Sequence, residues 1–263
     1  MEPVPLADPV IEIDGLTKRF GDKTAVAGLS LEVRSGEFFG FLGPNGAGKS
    51  TTIRILCGLL RPTAGNVRIF GIDVQADPLE VKRRIGILPE DAVLYDRLTP
   101  LEHLRFVGRM HGLDTELIDD RSTALLDLME LEPADRGRMI VDQSTGMRKK
   151  VSLACALIHG PRLLFLDEPF NGIDAVTVRA LRNVLQEAVG RGVTVFFSSH
   201  VLEVAQRLCT RIAIIRQGSL HALGTLDEVR QQVGLPPESS LEDAFVALTG
   251  ERTESAPELD FLG

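Results

Sequence analysis

Gly43-Pro44-Asn45-Gly46-Ala47-Gly48-Lys49-Ser50-Thr51 is the stretch whose reading decides the fold. It follows the apolar run Phe38-Phe39-Gly40-Phe41-Leu42, which reads as a buried strand. It precedes Thr52-Ile53-Arg54-Ile55-Leu56-Cys57-Gly58-Leu59-Leu60, which predicts a helix with Gly58 near its end. Strand, glycine-rich loop and helix form the context in which G-x-x-x-x-G-K-[S/T] means a phosphate site. Glycines let backbone N–H groups turn inward with no Cβ in the way. Those groups and the positive end of the helix surround a polyphosphate. In such a loop Lys49 reaches the β- and γ-phosphates and the Ser50 hydroxyl can ligate Mg²⁺. Nucleotide binding is therefore expected.

Working outward, the second strong feature is Arg162-Leu163-Leu164-Phe165-Leu166-Asp167-Glu168, an apolar run closed by two acids. A buried strand here places both carboxylates at the carboxyl edge of a parallel sheet, where ligands of open α/β sheets bind. In phosphoryl transfer one such carboxylate serves Mg²⁺ and its neighbour can polarise the attacking water. Without the phosphate loop, the same pair would read equally well as a solvated strand end. Val193-Thr194-Val195-Phe196-Phe197 predicts another strand, ending at Ser198-Ser199-His200, so His200 is expected at the same edge.

Other segments supply the frame. Val10-Ile11-Glu12-Ile13 reads as an edge strand and Leu29-Ser30-Leu31-Glu32-Val33 as its alternating neighbour. Phe20, between them, reads as a hydrophobic plug or as a stacking surface for a base. Residues 78–84 predict a helix, and Ile85-Gly86-Ile87-Leu88-Pro89 a strand that delivers Glu90 and Asp91 to a loop. From about 99 to 160 strand signals give way to helices. One opens at Thr99-Pro100-Leu101-Glu102 with cap, proline and capping-box acid in place. A second, over 114–130, is expected to bury Ile118, Leu125 and Leu128. A third carries Met147, Val151, Ala154, Cys155 and Ile158 at helical spacing, with Arg148-Lys149-Lys150 expected on its solvated face. A helical block between strands suggests an inserted subdomain. Asp174 is placed to cap the helix bearing Leu181, Val184, Leu185 and Ala188. A last helix is expected over 241–248.

Composition bounds the partners. The chain has 263 residues, 44% hydrophobic and 25% charged, as in an ordinary soluble protein. Its net charge of −8 argues against nucleic acid as the main partner. Cys57, Cys155 and Cys209 are widely spaced in apolar surroundings and read as buried thiols of a reducing compartment. No apolar run is long enough to span a membrane, and the acidic, Pro-rich start does not read as a signal peptide.

The order of residues 43–51, Ser144-Thr145-Gly146-Met147, 163–169, Gly172-Ile173-Asp174 and His200 resembles the ATP-binding cassette (ABC) ATPases. The match runs from about Val10 to Leu223. Within that family Leu88-Pro89-Glu90, Ser144-Thr145-Gly146-Met147-Arg148 and Leu241-Glu242-Asp243-Ala244-Phe245 look most like ATPase subunits of bacterial drug, lipid and polysaccharide exporters. The resemblance implies an α/β fold: a P-loop NTPase core of ABC type, with N-terminal antiparallel strands and an α-helical subdomain inserted at about 92–160. The ATPase domain is expected over 10–236, after a flexible 1–9 and before a C-terminal helix and loose tail over 237–263.

The resemblance also implies roles. Phe20 would stack on adenine, with Gly43, Pro44, Asn45, Gly46, Ala47, Gly48, Lys49, Ser50 and Thr51 around the phosphates. Ser50, Asp167 and Glu90 would serve Mg²⁺. Glu168 would be the general base, assisted by His200 and Lys49. Ser144, Thr145, Gly146 and Met147 would meet ATP held by a second subunit, with Gly172 and Asp174 at the subunit interface. Since the residues around Ser144 precede a good helix, they form a second anion site, and two chains head to tail would complete two whole sites. Three positions depart from the family pattern: Glu90 replaces the usual Gln, Thr145 the first glycine of the signature, and Asn171 a small residue before Gly172. The expected protein is an ATPase subunit, peripheral on the cytoplasmic face of the membrane, driving separate permease subunits. The other readings are a nucleic-acid ATPase and a regulatory ATP-binding module.

Overall fold

The computed structural model describes residues 9–91 and 93–250. Of the flexible start expected over 1–9, residues 1–8 lie outside the described residues, as does the loose tail over 251–263, while Pro9 is not loose but opens a strand. The chain starts as an antiparallel hairpin of β1 (Pro9–Phe20) and β2 (Lys23–Arg34). Then come β3 (Phe38–Leu42), α1 (Lys49–Leu56), β4 (Ala64–Ile69), β5 (Ile72–Asp73), α2 (Pro78–Arg84) and β6 (Ile85–Leu88). Between β6 and the next strand the described residues form only helices: α3 (Pro100–Met110), α4 (Thr115–Leu128), α5 (Pro133–Arg136), a 3-10 turn (Ile140–Asp142) and α6 (Thr145–Leu157). The alternating pattern then resumes as β7 (Leu163–Asp167), α7 (Ala175–Gly190), β8 (Thr194–Ser199), α8 (Leu202–Leu208), β9 (Arg211–Arg216), β10 (Ser219–Gly224), α9 (Leu226–Gln232) and α10 (Leu241–Thr249).

Two sheets result. One is antiparallel, in the order β2-β1-β4-β5. The other runs β10-β9-β3-β8-β7-β6, parallel except for the edge strand β10. Its central strands are buried on both faces, which is why β3 and β7 read as continuous apolar runs. Successive side chains enter opposite cores. Phe38, Leu42, Leu164, Leu166 and Phe197 face the helices, while Phe39, Phe41, Phe165 and Phe196 face the antiparallel sheet. Phe196 anchors that second core, with ring centroids 5.5 Å from Phe39 and 5.2 Å from Phe41.

Parallel register aligns the strand ends that matter. Leu42 pairs with Ser199, Asp167 with Ser198, and Leu88 with Leu166. The loops leaving β3, β6, β7 and β8 therefore open at one sheet edge.

Several expectations are corrected. The segment 10–13 is not an edge: β1 lies between β2 and β4. On α4 the buried stripe is Ile118, Ser122 and Leu126, and Leu128 is exposed. Ser122 disguised that stripe, because a serine scores as polar in a hydrophobic pattern. Lys149 and Lys150 are not solvated but 4% and 8% exposed. Their stems lie in the packed block and their ammonium groups end on the carbonyls of Glu90 and Glu130. Helix α9 was not anticipated, although Thr225 and Glu228 form the capping box that announces it.

Candidate active site

The phosphate loop is built from conformations only glycine adopts cheaply. Gly48, which caps α1, has φ 106, and a Cβ there would meet the Ala25 carbonyl oxygen at 2.3 Å. The loop is tied in by Ala47 N–H to Pro44 O (3.2 Å) and by Gly218 N–H to Ala47 O (2.9 Å). Lys49, the first residue of α1, is buried. Its Nζ donates to Gly43 O (2.7 Å) and Pro44 O (3.2 Å) and stands 3.1 Å from Glu168 Oε1. Ser50 and Thr51 follow on the same helix turn, both half-buried.

A cleft of about 450 Å³ opens over this loop. It is lined by Phe20, Lys23, Ala25, Asn45, Gly46, Gly48, Lys49, Ser50, Thr51, Glu90 and Glu168. Phe20, at the end of β1, is 49% exposed, and Lys18 Nζ lies 5.0 Å from its ring centroid. The structure thus gathers residues from β1, α1, the β6 end and the β7 end into one cleft, as the strand-end argument requires. A larger groove of about 480 Å³ between α4, α6 and α7 is walled mainly by Leu, Ala and Val and holds none of these residues. Phosphate chemistry needs converging polar groups, so the smaller cleft is the candidate site.

The two acids sit differently. Asp167 closes β7, is 6% exposed, and its Oδ1 accepts from Ser198 Oγ at 2.5 Å. Glu168 is also buried and has φ 47, a left-handed conformation that costs a non-glycine residue roughly 1–3 kcal/mol. Its N–H is held by Ser198 O and Ser198 Oγ, both at 3.2 Å. The strain turns the carboxylate toward Lys49 on one side and His200 on the other. His200 Nδ1 is 2.9 Å from Glu168 Oε2, and the His200 N–H donates to the same oxygen at 3.3 Å. Against an ionised carboxylate Nδ1 is the protonated nitrogen. Ser198 was quoted only as part of a strand end. Its hydroxyl joins both acids, a role no local pattern announces.

Ser144, Thr145, Gly146 and Met147 do not line this cleft. They form the start of α6, where Ser144 Oγ accepts from Met147 N–H at 3.3 Å. Ser144 and Thr145 are exposed. Gly146 is buried against the start of α7: a Cβ there would meet Thr177 Oγ1 at 2.8 Å and Asp174 Oδ2 at 3.4 Å. Asp174 caps α7 by accepting from Val176 N–H (2.9 Å) and Thr177 N–H (3.0 Å), and its Oδ2 accepts from Thr177 Oγ1 (2.7 Å). Those bonds, the Thr177 backbone foremost, hold its carboxyl below the usual range. Gly172 is exposed nearby, beside Thr145, Glu90 and Lys149 around a second recess of about 400 Å³. The thiols lie elsewhere: all three are free, and burial raises each, Cys155 to about 12.

The ABC transporter family model matches residues 26–171, a span that holds the phosphate loop, the residues around Ser144 and the two acids. The chain belongs to the ABC transporter family. Among its relatives, the daunorubicin resistance ATP-binding protein DrrA3 of Streptomyces coeruleorubidus is 41% identical over 230 residues, which are 87% of this chain and 72% of the relative. The Nod factor export ATP-binding protein I of Cupriavidus pinatubonensis is 34% identical over 99% of this chain and 80% of its own length. Among solved structures, an ATP-binding subunit of an ABC transporter superposes with TM-score 0.84 at 34% identity, covering 91% of this chain and 99% of that one. A dimeric ATP-binding cassette in a post-hydrolysis state with ADP and Pi gives 0.76 at 26% identity, covering 82% and 98%. This ABC cassette is therefore an ATP-binding, ATP-hydrolysing subunit built on the P-loop NTPase fold.

Proposed function

We propose that this cassette powers export, working as a head-to-tail pair on the cytoplasmic face of the membrane and driving separate permease subunits. One observation carries the proposal: the phosphate cleft gathers Phe20, the phosphate loop, Glu90 and Glu168, whereas the Ser144 helix start lies on another element, is exposed and does not line that cleft. An exposed helix N-terminus with a serine cap is an anion site without an anion of its own. Two chains related by a twofold axis would each supply that helix start to the other's cleft.

Within each site the residues divide the work. Phe20 offers one ring face to the base, and the loop N–H groups and Lys49 take the phosphates. A phosphate drawing on the Lys49 ammonium competes with Glu168 Oε1 for it. Glu168, freed on that side and still oriented by His200, accepts the proton of the attacking water. Gly172 and Asp174 lie where the partner chain would pass.

The donor set also fits Mg²⁺. Among the described residues no group of three or more His, Cys, Asp or Glu could cage a metal. The available oxygens, of Ser50 and Asp167 with Glu90 on the cleft wall, suit an ion that keeps water and phosphate ligands. When bound, Mg²⁺ neutralises phosphate charge.

Among the described residues no helix is long and apolar enough to cross a membrane, and the proposal assigns the crossing to a permease subunit. Exposed apolar side chains follow Glu90, Val93 and Tyr95 in the loop and Phe106 and Met110 on α3, with the Tyr95 and Phe106 rings edge to face at 5.2 Å, and they offer a dock for it. The printed roles of the two relatives, drug resistance and Nod factor export, favour an exporter over the nucleic-acid reading, which the net charge of −8 also disfavours. Sedimentation of Glu168→Gln with ATP and Mg²⁺ tests the pair: a dimer is expected, and a monomer at high concentration would overturn it.

A further inference from the structure

Lys149 is a buried lysine with no part in the chemistry above. It lies on α6, five residues past Ser144, and is 4% exposed. Its Nζ donates to the backbone carbonyl of Glu90, two residues past the end of β6 on the way to the helical block. Glu90 itself lines the phosphate cleft with Ser50, Lys49 and Glu168. One side chain thus ties the helix offered to the second chain to a wall of the chain's own cleft.

We infer that Lys149 is a positioning residue that couples the two half-sites of each chain, so that engagement of Ser144 by one nucleotide shifts Glu90 at the other. The inference rests on the head-to-tail reading above. An ammonium is a demanding choice for a side chain this buried, since burial opposes its charge. Four acids compensate it electrostatically: Glu90, Asp91, Asp167 and Glu168. Burial still outweighs them and holds the Lys149 pKa below the usual lysine range. Glu90 and Asp91 follow β6, Asp167 closes β7 and Glu168 comes just after it, so the ammonium is attracted at once to two residues of the cleft wall, Glu90 and Glu168. A tilt of α6 must either move Glu90 with it or strip a buried charge of its carbonyl. The second is costly, because an unpaired buried donor loses its full solvation. Motion is therefore transmitted and not absorbed. Lys150, the next residue, ends on Glu130 O inside the helical block and makes no such crossing.

The pair of sites predicts a sigmoidal dependence of ATPase rate on ATP for the intact cassette. Lys149→Met keeps the stem and removes the ammonium. It should lower kcat by roughly tenfold and flatten the sigmoid, the scale of ordinary site–site coupling, with the half-saturating ATP concentration changed by less than about threefold. Lys149→Arg should restore most of the sigmoid, since it still donates from the same place. A general packing defect would instead weaken binding and rate together and would not respond to Arg. If Lys149→Met does not fold, Lys149→Gln is read in the same assays. Unchanged kcat and sigmoidicity in the charge-free variant would overturn the coupling. Failure of Glu168→Gln to dimerise with Lys149 intact would instead remove the paired reading, so the two failures are told apart.

Discussion

His200 Nδ1 lies 2.9 Å from Glu168 Oε2. With the His200 N–H on the same oxygen and Lys49 facing the other, the carboxylate is aimed by its neighbours on both sides. Glu168→Gln should lower kcat by roughly 10²-fold or more with ATP affinity kept, because only the proton acceptor is lost. If His200 acts through Glu168, His200→Ala should slow the otherwise native protein and add almost nothing to Glu168→Gln. Steady-state turnover of the two singles and the double decides this; additive losses would give His200 a role of its own.

Phe20 and Lys49 divide recognition between base and phosphates. Phe20→Ala should weaken ATP roughly tenfold, the scale of one base–aromatic stack, and leave inorganic tripolyphosphate unaffected. Lys49→Met should weaken both, since a charge-assisted phosphate contact is lost. Competition titrations with the two ligands separate these outcomes. Equal loss of both ligands on Phe20→Ala would return Phe20 to the hydrophobic-plug reading.

The legible parts of this molecule were those with a local signal. Residues 38–51 carry a strand, a loop and a helix start in fourteen consecutive positions, and the structure has all three there. Asp167, Glu168 and His200 were placed at one edge because strand ends of a parallel sheet must align, and register puts Asp167 beside Ser198. What failed depends on distant contacts. Lys149 is polar in any pattern, and only the Glu90 carbonyl, fifty-nine residues away, explains its burial. Residues 10–13 alternate as an edge would, but β4 arrives on the open side and makes β1 interior. Ser198 binds both acids only because β7 and β8 are neighbours.

Gly146 is constrained twice, by the second chain it is proposed to meet and by its own. A methyl at this position would meet Thr177 Oγ1 at 2.8 Å, and that hydroxyl is bonded to Asp174. Gly146→Ala should therefore destabilise the isolated subunit by about 1–3 kcal/mol, as overpacking does. Adding Thr177→Ala removes the hydroxyl that the methyl meets and should recover part of that stability, and ATPase activity that stays low in the double variant would show that Gly146 also serves the second chain. Urea midpoints and turnover report the two effects separately. Full activity in the double variant would leave packing as the whole function of Gly146.

His111 and His159 stack face to face, with ring centroids 3.8 Å apart and planes 9° from parallel. His159 Nε2 is 3.0 Å from Ile85 O, its Nδ1 is buried with no partner, and Arg121 adds positive charge nearby. Burial first, then His111 and Arg121, push His159 down to about 4, and burial lowers His111 as well. In the unfolded chain both titrate near about pH 6.5. Below that pH the unfolded chain takes up protons that the folded one refuses, so stability falls as pH drops from about 6.5 toward about 4. Most carboxylates stay ionised down to about pH 5, which isolates the effect between about pH 7 and pH 5. His103, also lowered by burial, acts in the same sense and is kept in both proteins compared. The urea midpoint of the native sequence should fall over that interval. It should fall less in His111→Phe with His159→Gln, which removes both rings' protons and keeps an aromatic stack surface. Equal slopes in the two proteins would show that the pair titrates freely in the fold, against what its burial and stacking require.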